Sequence, residues 1–320
     1  MSRPGEALLG ALAREGAAAG RSAPAVLWRF SRPHTIVGTT LSVLALYAIA
    51  VTDLAGGDLG AGLFDLWWTL VAAWCVNVFI VGVNQLEDVD IDRVNKPFLP
   101  VAAGDLSPAA GRRIVVAAAM VPLVLAVTQG AAELAAVALG LAVGTAYSVP
   151  PLRLKRFPAL ASLSITFVRS LVVNLGVWLH FSYALGGGSA IHPAVWALIA
   201  VTVPFSFAIA ILKDMPDVEG DRRYAIATFS VRLGPQPVFA LGLAALTAAE
   251  LGMASAGAAL LDGASAPLLA GAHLAAAAAL WLWAARVDLG DRAAITRFYM
   301  RVWVLFFLEY AIVAAAYLLG

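Results

Sequence analysis

The sequence predicts an all-α integral membrane protein built as a bundle of nine transmembrane helices. Three observations support this fold class: the composition, the number of long apolar stretches, and the placement of the basic residues. Of the 320 residues, 62% are hydrophobic and only 13% are charged, and the mean hydropathy is +0.87. A soluble domain has about 25% charged residues. A chain this apolar cannot cover its own surface with polar groups, so lipid must solvate much of it.

Nine apolar stretches are long enough to cross about 30 Å of hydrocarbon as helices of roughly 20 residues. They lie at 34–54, 63–86, 111–129, 132–148, 160–182, 193–213, 237–258, 266–286 and 298–318. The fourth and sixth are the weakest, because the fourth is short and Pro204 interrupts the sixth. We expect residues 28–320 to form one domain, preceded by a mobile cytosolic tail over residues 1–27. The first 30 residues, rich in Ala and Arg, are also compatible with a transit peptide, and they have no signal-peptide h-region with a clear cleavage site.

The basic residues indicate how this bundle is oriented. Alternate connections between the predicted spans, near 55–62, 130, 183–192 and 259–265, contain no Lys or Arg. Every basic residue except Arg169 lies on the opposite side. By the positive-inside rule the N-terminus is then cytoplasmic, and nine spans place the C-terminus outside. We expect a multi-pass protein of a bacterial cytoplasmic membrane, which we favour over a plastid membrane.

Several classes of function are excluded by simple counts. A single cysteine, Cys75, rules out a disulfide framework, and with four scattered histidines it also rules out a thiol-based zinc site. The formal net charge of +1 provides no bulk field for nucleic acid. The expected partners are therefore the lipid bilayer and small molecules, with no nucleic acid.

Acidic residues concentrate in two short segments that follow predicted spans. Eight of the 20 lie within 87–92 and 214–221. In the first segment three polar side chains spaced i, i+4 and i+8 form one stripe of a helix: Asn84, Asp88 and Asp92. The second segment repeats the four-residue spacing at Asp217 and Asp221, and Asp214 precedes them. Pro216 and Gly220 interrupt a regular helix here, so we expect a bent or short helix.

Carboxylates this close repel one another unless a cation lies between them. Mg²⁺ takes oxygen ligands and is usually held by one or two carboxylates together with phosphate oxygens. Basic side chains near both stripes would neutralise the remaining phosphate charge. The candidates are Arg93, Lys96, Lys155, Arg156, Lys213 and Arg222. A diphosphate held between two Asp-rich stripes at a membrane surface suggests a lipid diphosphate as ligand.

The segments carrying these stripes resemble the two signature segments of the UbiA superfamily of intramembrane aromatic prenyltransferases. They read NQLEDVDIDRVNKPFLP at 84–100 and KDMPDVEGDRRYAIATFSVRLG at 213–234. The nine-span arrangement with an internal N-terminus also matches, so the resemblance covers the chain from residue 28 onward. Within the superfamily, both segments are most similar to the homogentisate prenyltransferases of tocopherol and plastoquinone synthesis.

The resemblance implies Mg²⁺-dependent transfer of a prenyl group, phytyl or geranylgeranyl being favoured, from its diphosphate to a small aromatic acceptor. The favoured acceptor is homogentisate, which loses its carboxylate as CO₂. One Mg²⁺ would be held by Asn84, Asp88 and Asp92, and a second by Asp217 and Asp221, with Asp214 as a further candidate. The resemblance also places Tyr147 and Ser148 near the reacting carbon, and Lys155 and Arg156 near the diphosphate. An interfacial tyrosine with positive-inside anchors is the structural alternative for that segment.

Two polar residues, Arg169 and Asn174, lie within the fifth predicted span. An arginine in a span costs about 2.5–3.5 kcal/mol on insertion scales, so it should face the interior of the bundle. Both residues are candidates for contact with the acceptor carboxylate, and a structural partner such as a helix-end carbonyl is equally compatible. His34 and His180, near span ends, are expected at the membrane interfaces.

Two alternative functions remain open. One is a member of the same superfamily with another acceptor, such as another phenol, a naphthoate or a chlorophyllide. The other is a transporter, but transporter sites tend to lie near the bilayer midplane on broken helices within internal repeats. The acidic residues here cluster at one membrane face, which disfavours transport.

Overall fold

The computed structural model describes residues 22–261 and 263–320, and these residues form helices joined by short loops. Within this part of the chain, nine helices are long and apolar enough to cross a membrane. They are α1 (Pro33–Leu54), α2 (Leu63–Glu87), α3 (Pro108–Gln129), α4 (Ala131–Ser148), α5 (Pro158–Ala184), α6 (Pro193–Leu212), α7 (Pro235–Leu260), α8 (Ala266–Ala284) and α9 (Arg292–Leu318). The predicted all-α bundle of nine membrane-crossing helices is confirmed, including the weak fourth and sixth spans.

Short helices occupy the connections and the chain before α1. They are Ala23–Phe30, Val89–Asn95, Pro100–Ala103, the 3₁₀ turn Leu154–Arg156, Val218–Arg223 and Phe229–Leu233. The tail predicted over 1–27 lies mostly outside the described residues, and the last part of it belongs to the helix Ala23–Phe30. Two of these short helices, Val89–Asn95 and Val218–Arg223, follow α2 and α6 and carry the acidic segments.

Proline determines where most of the long helices begin. It occupies the first position of α1, α3, α5, α6 and α7, where its fixed φ suits the helix and its missing N–H costs nothing. Pro204 does not interrupt α6, since neighbouring helices in a membrane bundle can compensate for a lost backbone hydrogen bond. The α6 helix is the most buried of the nine and packs against α5, α7 and α9, which makes it the centre of the bundle.

The α9 helix begins six residues earlier than the sequence suggested, at Arg292 rather than at 298. The Asp291 side chain accepts a hydrogen bond from the Ala293 backbone N–H at 2.8 Å and caps the helix there. This cap starts the helix in a charged stretch that hydropathy alone assigns to a loop. As a result Arg292 lies on α9 itself, at the end that meets the acidic segments.

Small residues bring α4 close to its neighbours α2 and α5. A Cβ atom added to Gly144 would lie 2.7 Å from the Ile80 side chain, and one added to Gly176 would lie 2.5 Å from Cβ of Ala136. Such close backbone approach is how helices pack in lipid, where no hydrophobic effect drives their association. The α5 helix also contains a π-helical stretch, Phe167–Val172, around Arg169.

Candidate active site

One cavity of about 1840 Å³ lies between α1, α2, α4, α5 and α9, and both acidic segments line it. At one end the lining is charged: Asp88, Asp92, Lys96, Lys155, Lys213, Asp214, Asp217, Asp221 and Arg292. Further along the helices it becomes apolar, with Val43, Val76, Val137, Val173 and Val177. The cavity therefore joins a strongly polar site to a hydrophobic channel inside the bundle.

The first stripe is formed by the end of α2 and the short helix that follows it. The Asp88 carboxylate accepts hydrogen bonds from Lys155 Nζ at 2.6 Å, Arg153 Nη2 at 3.1 Å and Asn84 Nδ2 at 3.0 Å. One oxygen of Asp92 is buried with no hydrogen-bond partner. Burial raises the pKa of Asp92 to about 6, and Lys96 opposes that shift.

The second stripe belongs to the segment after α6. Asp217 forms an ion pair with Lys96 of the first segment, and Arg292 Nη2 lies 3.9 Å from Asp217 Oδ1. Lys213 Nζ lies 2.7 Å from Asp214 Oδ1. Burial and the nearby carboxylates of Asp214 and Asp217 raise the pKa of Asp221 to about 7. The carboxylates of this segment thus lie close enough to repel one another, as the sequence suggested, and Lys96, Lys213 and Arg292 lie beside them.

Asn95 connects the two stripes directly. Its Nδ2 donates to Asp221 Oδ1 at 3.2 Å, and its Oδ1 accepts from the Gly220 backbone N–H at 3.0 Å. Arg292 also donates to the Asn95 carbonyl oxygen. The sequence did not single out Asn95 or Arg292 as site residues, although Asn95 lies within the first signature segment, 84–100. These contacts hold the two acidic segments against each other at the end of the cavity.

The donor set of this site fits Mg²⁺. Carboxylate and amide oxygens are the ligands that this hard cation takes, and all six predicted metal ligands line the cavity: Asn84, Asp88, Asp92, Asp214, Asp217 and Asp221. The unpartnered oxygen of Asp92 is the clearest structural sign, because a buried carboxylate oxygen without a donor is costly unless a cation approaches it.

Of the six predicted phosphate-binding residues, the structure brings only three to the cavity: Lys96, Lys155 and Lys213. Arg93 turns outward to pair with exposed Asp90 at 2.6 Å, because adjacent helix positions point about 100° apart. Arg156 is exposed and lies over the Phe157 ring at 4.8 Å, and Arg222 is exposed as well. Arg32, which sequence reasoning did not single out, lines the cavity instead, as Arg292 does.

Arg169 lies further along the cavity, among aromatic rings contributed by α9. Its guanidinium carbon is 4.7 Å from the Trp303 ring centroid and 5.7 Å from that of Phe306, and its Nη1 is buried without a hydrogen-bond partner. His34, the second residue of α1, also lines the cavity, and its ring centroid lies 5.0 Å from that of Trp303 in an edge-on arrangement. Tyr147 lines the same cavity.

The other two predicted catalytic residues do not line the cavity. Ser148 is fully buried outside it, because it follows Tyr147 by one position and therefore faces another direction. The Asn174 amide donates to the Ser170 carbonyl at 2.8 Å and to Thr202 Oγ1 at 3.2 Å, and accepts from the Tyr310 hydroxyl at 3.2 Å. Its hydrogen-bonding capacity thus serves contacts between α5, α6 and α9.

Comparison with known proteins agrees with this architecture. Across 287 residues the chain is 45% identical to the homogentisate phytyltransferase of Synechocystis sp., which covers 88% of this chain and 92% of that protein. It is 38% identical to the chloroplastic homogentisate phytyltransferase 1 of Arabidopsis thaliana, over 88% of this chain and 73% of that protein. A solved UbiA homolog from Archaeoglobus fulgidus, bound to GPP and Mg²⁺, shares the fold with a TM-score of 0.57 at 17% identity, over 91% of this chain and 99% of that one. Residues 36–305 match the UbiA prenyltransferase family, and the chain belongs to that family.

Proposed function

We propose that this enzyme transfers a C20 prenyl group, phytyl or geranylgeranyl, from its diphosphate to homogentisate, as in tocopherol- or plastoquinone-type synthesis. The observation that carries the proposal is one cavity that joins two acidic stripes to Arg169, a buried cation with an unused donor. The similarity to homogentisate phytyltransferases from Synechocystis sp. and Arabidopsis thaliana supports the same acceptor. We place the reaction at the cytoplasmic face of a bacterial membrane, as the distribution of basic residues indicates.

The charged end of the cavity suits the diphosphate. The first stripe would hold one Mg²⁺ and the second stripe another, with Asp214 as a further ligand. When bound, these ions would neutralise the charge that develops on the leaving diphosphate. Lys96, Lys155 and Lys213, with Arg32 and Arg292, supply further positive charge at the same end. These side chains would hold the diphosphate at the charged end, so that the prenyl chain extends into the apolar channel.

The aromatic pocket around Arg169 suits the acceptor. The guanidinium would bind the homogentisate carboxylate, and the nearby rings of Trp303 and Phe306 would stabilise a cationic allylic carbon. The bond from the allylic carbon to diphosphate oxygen breaks, and that carbon bonds to the aromatic ring. The ring gives up one proton, and the side-chain carbon takes one up as its carboxylate leaves as CO₂. The products are a prenylated methylquinol, CO₂ and diphosphate.

The length of the channel is the basis for assigning a C20 chain. Along α4 the lining residues run from Tyr147 at the polar end to Glu133, fourteen residues or about 21 Å away. This length is comparable with that of an extended C20 chain. Glu133 and Thr69 are buried polar residues at the far end of the lining, so a longer chain would have to displace or pass them.

Membranes containing the enzyme test this proposal when incubated with Mg²⁺ and labelled prenyl diphosphates of different lengths. The acceptor panel should include homogentisate labelled in its carboxyl carbon, 4-hydroxybenzoate, a dihydroxynaphthoate and a chlorophyllide. We expect C20 donors with homogentisate to be used best, and labelled CO₂ to appear in proportion to product. Faster turnover with another acceptor would assign the enzyme to the alternative branch of the family.

A further inference from the structure

Three ionisable side chains meet where α7, α8 and α9 pack together, away from the cavity described above. Glu250, His273 and Glu309 are each fully buried, with 0% of their surface exposed. One potential ligand atom from each lies within 4.8 Å of the other two. None of the three lines the active-site cavity, so the function of that cavity does not explain them.

The cluster has more acceptors than donors. His273 Nδ1 lies 2.7 Å from the Leu269 carbonyl oxygen, which can only accept, so Nδ1 carries a proton. The other ring nitrogen, Nε2, lies 3.0 Å from Glu309 Oε2. Both oxygens of Glu250 and the second oxygen of Glu309 are buried with no donor. With a neutral imidazole and both carboxylates ionised, the cluster would hold two negative charges, which either two protons or one divalent cation can balance.

We propose that Glu250, His273 and Glu309 bind one divalent transition-metal ion, and that this ion is zinc. Zinc takes imidazole nitrogen and carboxylate oxygen in four-coordinate sites. His273 Nε2, one oxygen of Glu309 and both unpartnered oxygens of Glu250 would supply four ligand atoms. Metal-bound histidines usually donate their other N–H to a carbonyl or carboxylate, as His273 does toward Leu269. Mg²⁺ fits less well, because it keeps several water ligands and the three residues are completely buried.

This site is distant from the acidic stripes. Glu309 follows Arg292 by seventeen residues on α9, or about 25 Å along the axis, and Arg292 lies 3.9 Å from Asp217. The role of the ion is structural: it fixes α9 against α7 and α8. Since α9 also carries Trp303 and Phe306, the ion would keep the aromatic wall of the cavity in position.

Elemental analysis tests the site without any reference to activity. The enzyme is purified in detergent without a histidine tag, washed with chelator to remove loosely bound metal, and measured by plasma mass spectrometry. We expect about one zinc per chain in the wild type and in a double variant, Asp88→Asn with Asp217→Asn, in which the acidic stripes are impaired. Glu250→Gln and His273→Gln should each retain less than a tenth of that zinc. Glu133→Gln and His180→Gln, which alter a buried Glu and a buried His elsewhere, should retain all of it.

Wild-type enzyme that is folded and active but carries no stoichiometric divalent ion would overturn the proposal, because two protons would then neutralise the cluster. If the Gln variants fail to accumulate, the zinc content of the wild-type enzyme still tests the proposal. Protein produced in cobalt-supplemented medium should show the visible absorption of cobalt in a nitrogen–oxygen site. Zinc, but not Mg²⁺, should restore the thermal stability lost on prolonged chelation. The absence of both effects would refute a metal at this site.

Discussion

The Asn95 side chain donates a hydrogen bond to Asp221 across the interface between the two acidic segments, at 3.2 Å. The same amide accepts a hydrogen bond from the Gly220 backbone, so Asn95, together with the Lys96–Asp217 ion pair, joins the two stripes. The contact leaves little space: a Cβ atom added to Gly220 would lie 2.3 Å from Asn95 Oδ1. The geometry of the polar end of the cavity therefore depends on a glycine that the sequence presented only as a helix breaker.

We expect Gly220→Ala to reduce kcat/KM by about ten- to a hundredfold, because it displaces Asn95 and leaves buried polar groups unpaired, at about 1.5–3 kcal/mol. Radiolabelled prenyl transfer at saturating Mg²⁺ measures the effect. Gly252→Ala on α7 is the matched control, since nothing lies within 4 Å of an added Cβ there. Equal activity of the two variants would mean that Asn95 does not position the stripes.

Asp92 and Asp90 offer a direct comparison of two carboxylates on the same short helix. Asp92 is buried with an unpartnered oxygen, whereas Asp90 is exposed and pairs with Arg93 at 2.6 Å. Asp92→Asn should lower kcat/KM by about a hundredfold or more, because the Mg²⁺ that would bind the diphosphate loses one of its carboxylate ligands. Asp90→Asn should leave it nearly unchanged. Initial rates across a Mg²⁺ titration test both, and a large loss in the Asp90 variant alone would contradict the assignment.

Much of this site could be predicted from local sequence patterns. Asn84, Asp88 and Asp92 share one helix face by spacing alone, and all three line the cavity. The same periodicity separates Ser148 from Tyr147 and Arg93 from Asp92, which explains why neither Ser148 nor Arg93 lines the cavity. The contact between Arg169 of α5 and Trp303 of α9, in contrast, joins two residues that are 134 positions apart in the sequence. Which face of α9 meets α5 depends on packing throughout the bundle, and no local pattern encodes it.

Glu133 should influence which donor chain the enzyme accepts. Replacing it with Ala removes a buried polar side chain at the end of the lining, so prenyl diphosphates longer than C20 should gain in kcat/KM relative to geranylgeranyl diphosphate. Glu133→Gln keeps the volume and should retain the C20 preference. Competition between C20 and longer labelled donors in one reaction gives the ratio of their kcat/KM values directly. An unchanged ratio in the Ala variant would place the determinant of chain length elsewhere.

The orientation of the bundle can be tested separately from its chemistry. A reporter fused after Gly320 should be active on the outer side of the membrane, and one inserted within 152–158 should be active in the cytoplasm, since nine spans separate the two faces in this way. Alkaline phosphatase and green fluorescent protein fusions distinguish the two sides. If both positions reported the same side, the proposed location of the acidic stripes at the cytoplasmic face would be wrong.

Arg169 provides the sharpest test of the acceptor. Its guanidinium lies among aromatic rings with an unused N–H donor, so a bound carboxylate would gain a charge-assisted hydrogen bond of about 1.5–3 kcal/mol. Arg169→Ala should therefore raise the KM for homogentisate roughly tenfold or more and leave that for the prenyl diphosphate almost unchanged. Arg169→Lys should restore binding only in part, because an ammonium lacks the planar fork. Exposed Arg156→Ala is the control and should alter neither constant. A rise confined to the KM of the prenyl diphosphate would instead assign Arg169 to the diphosphate site.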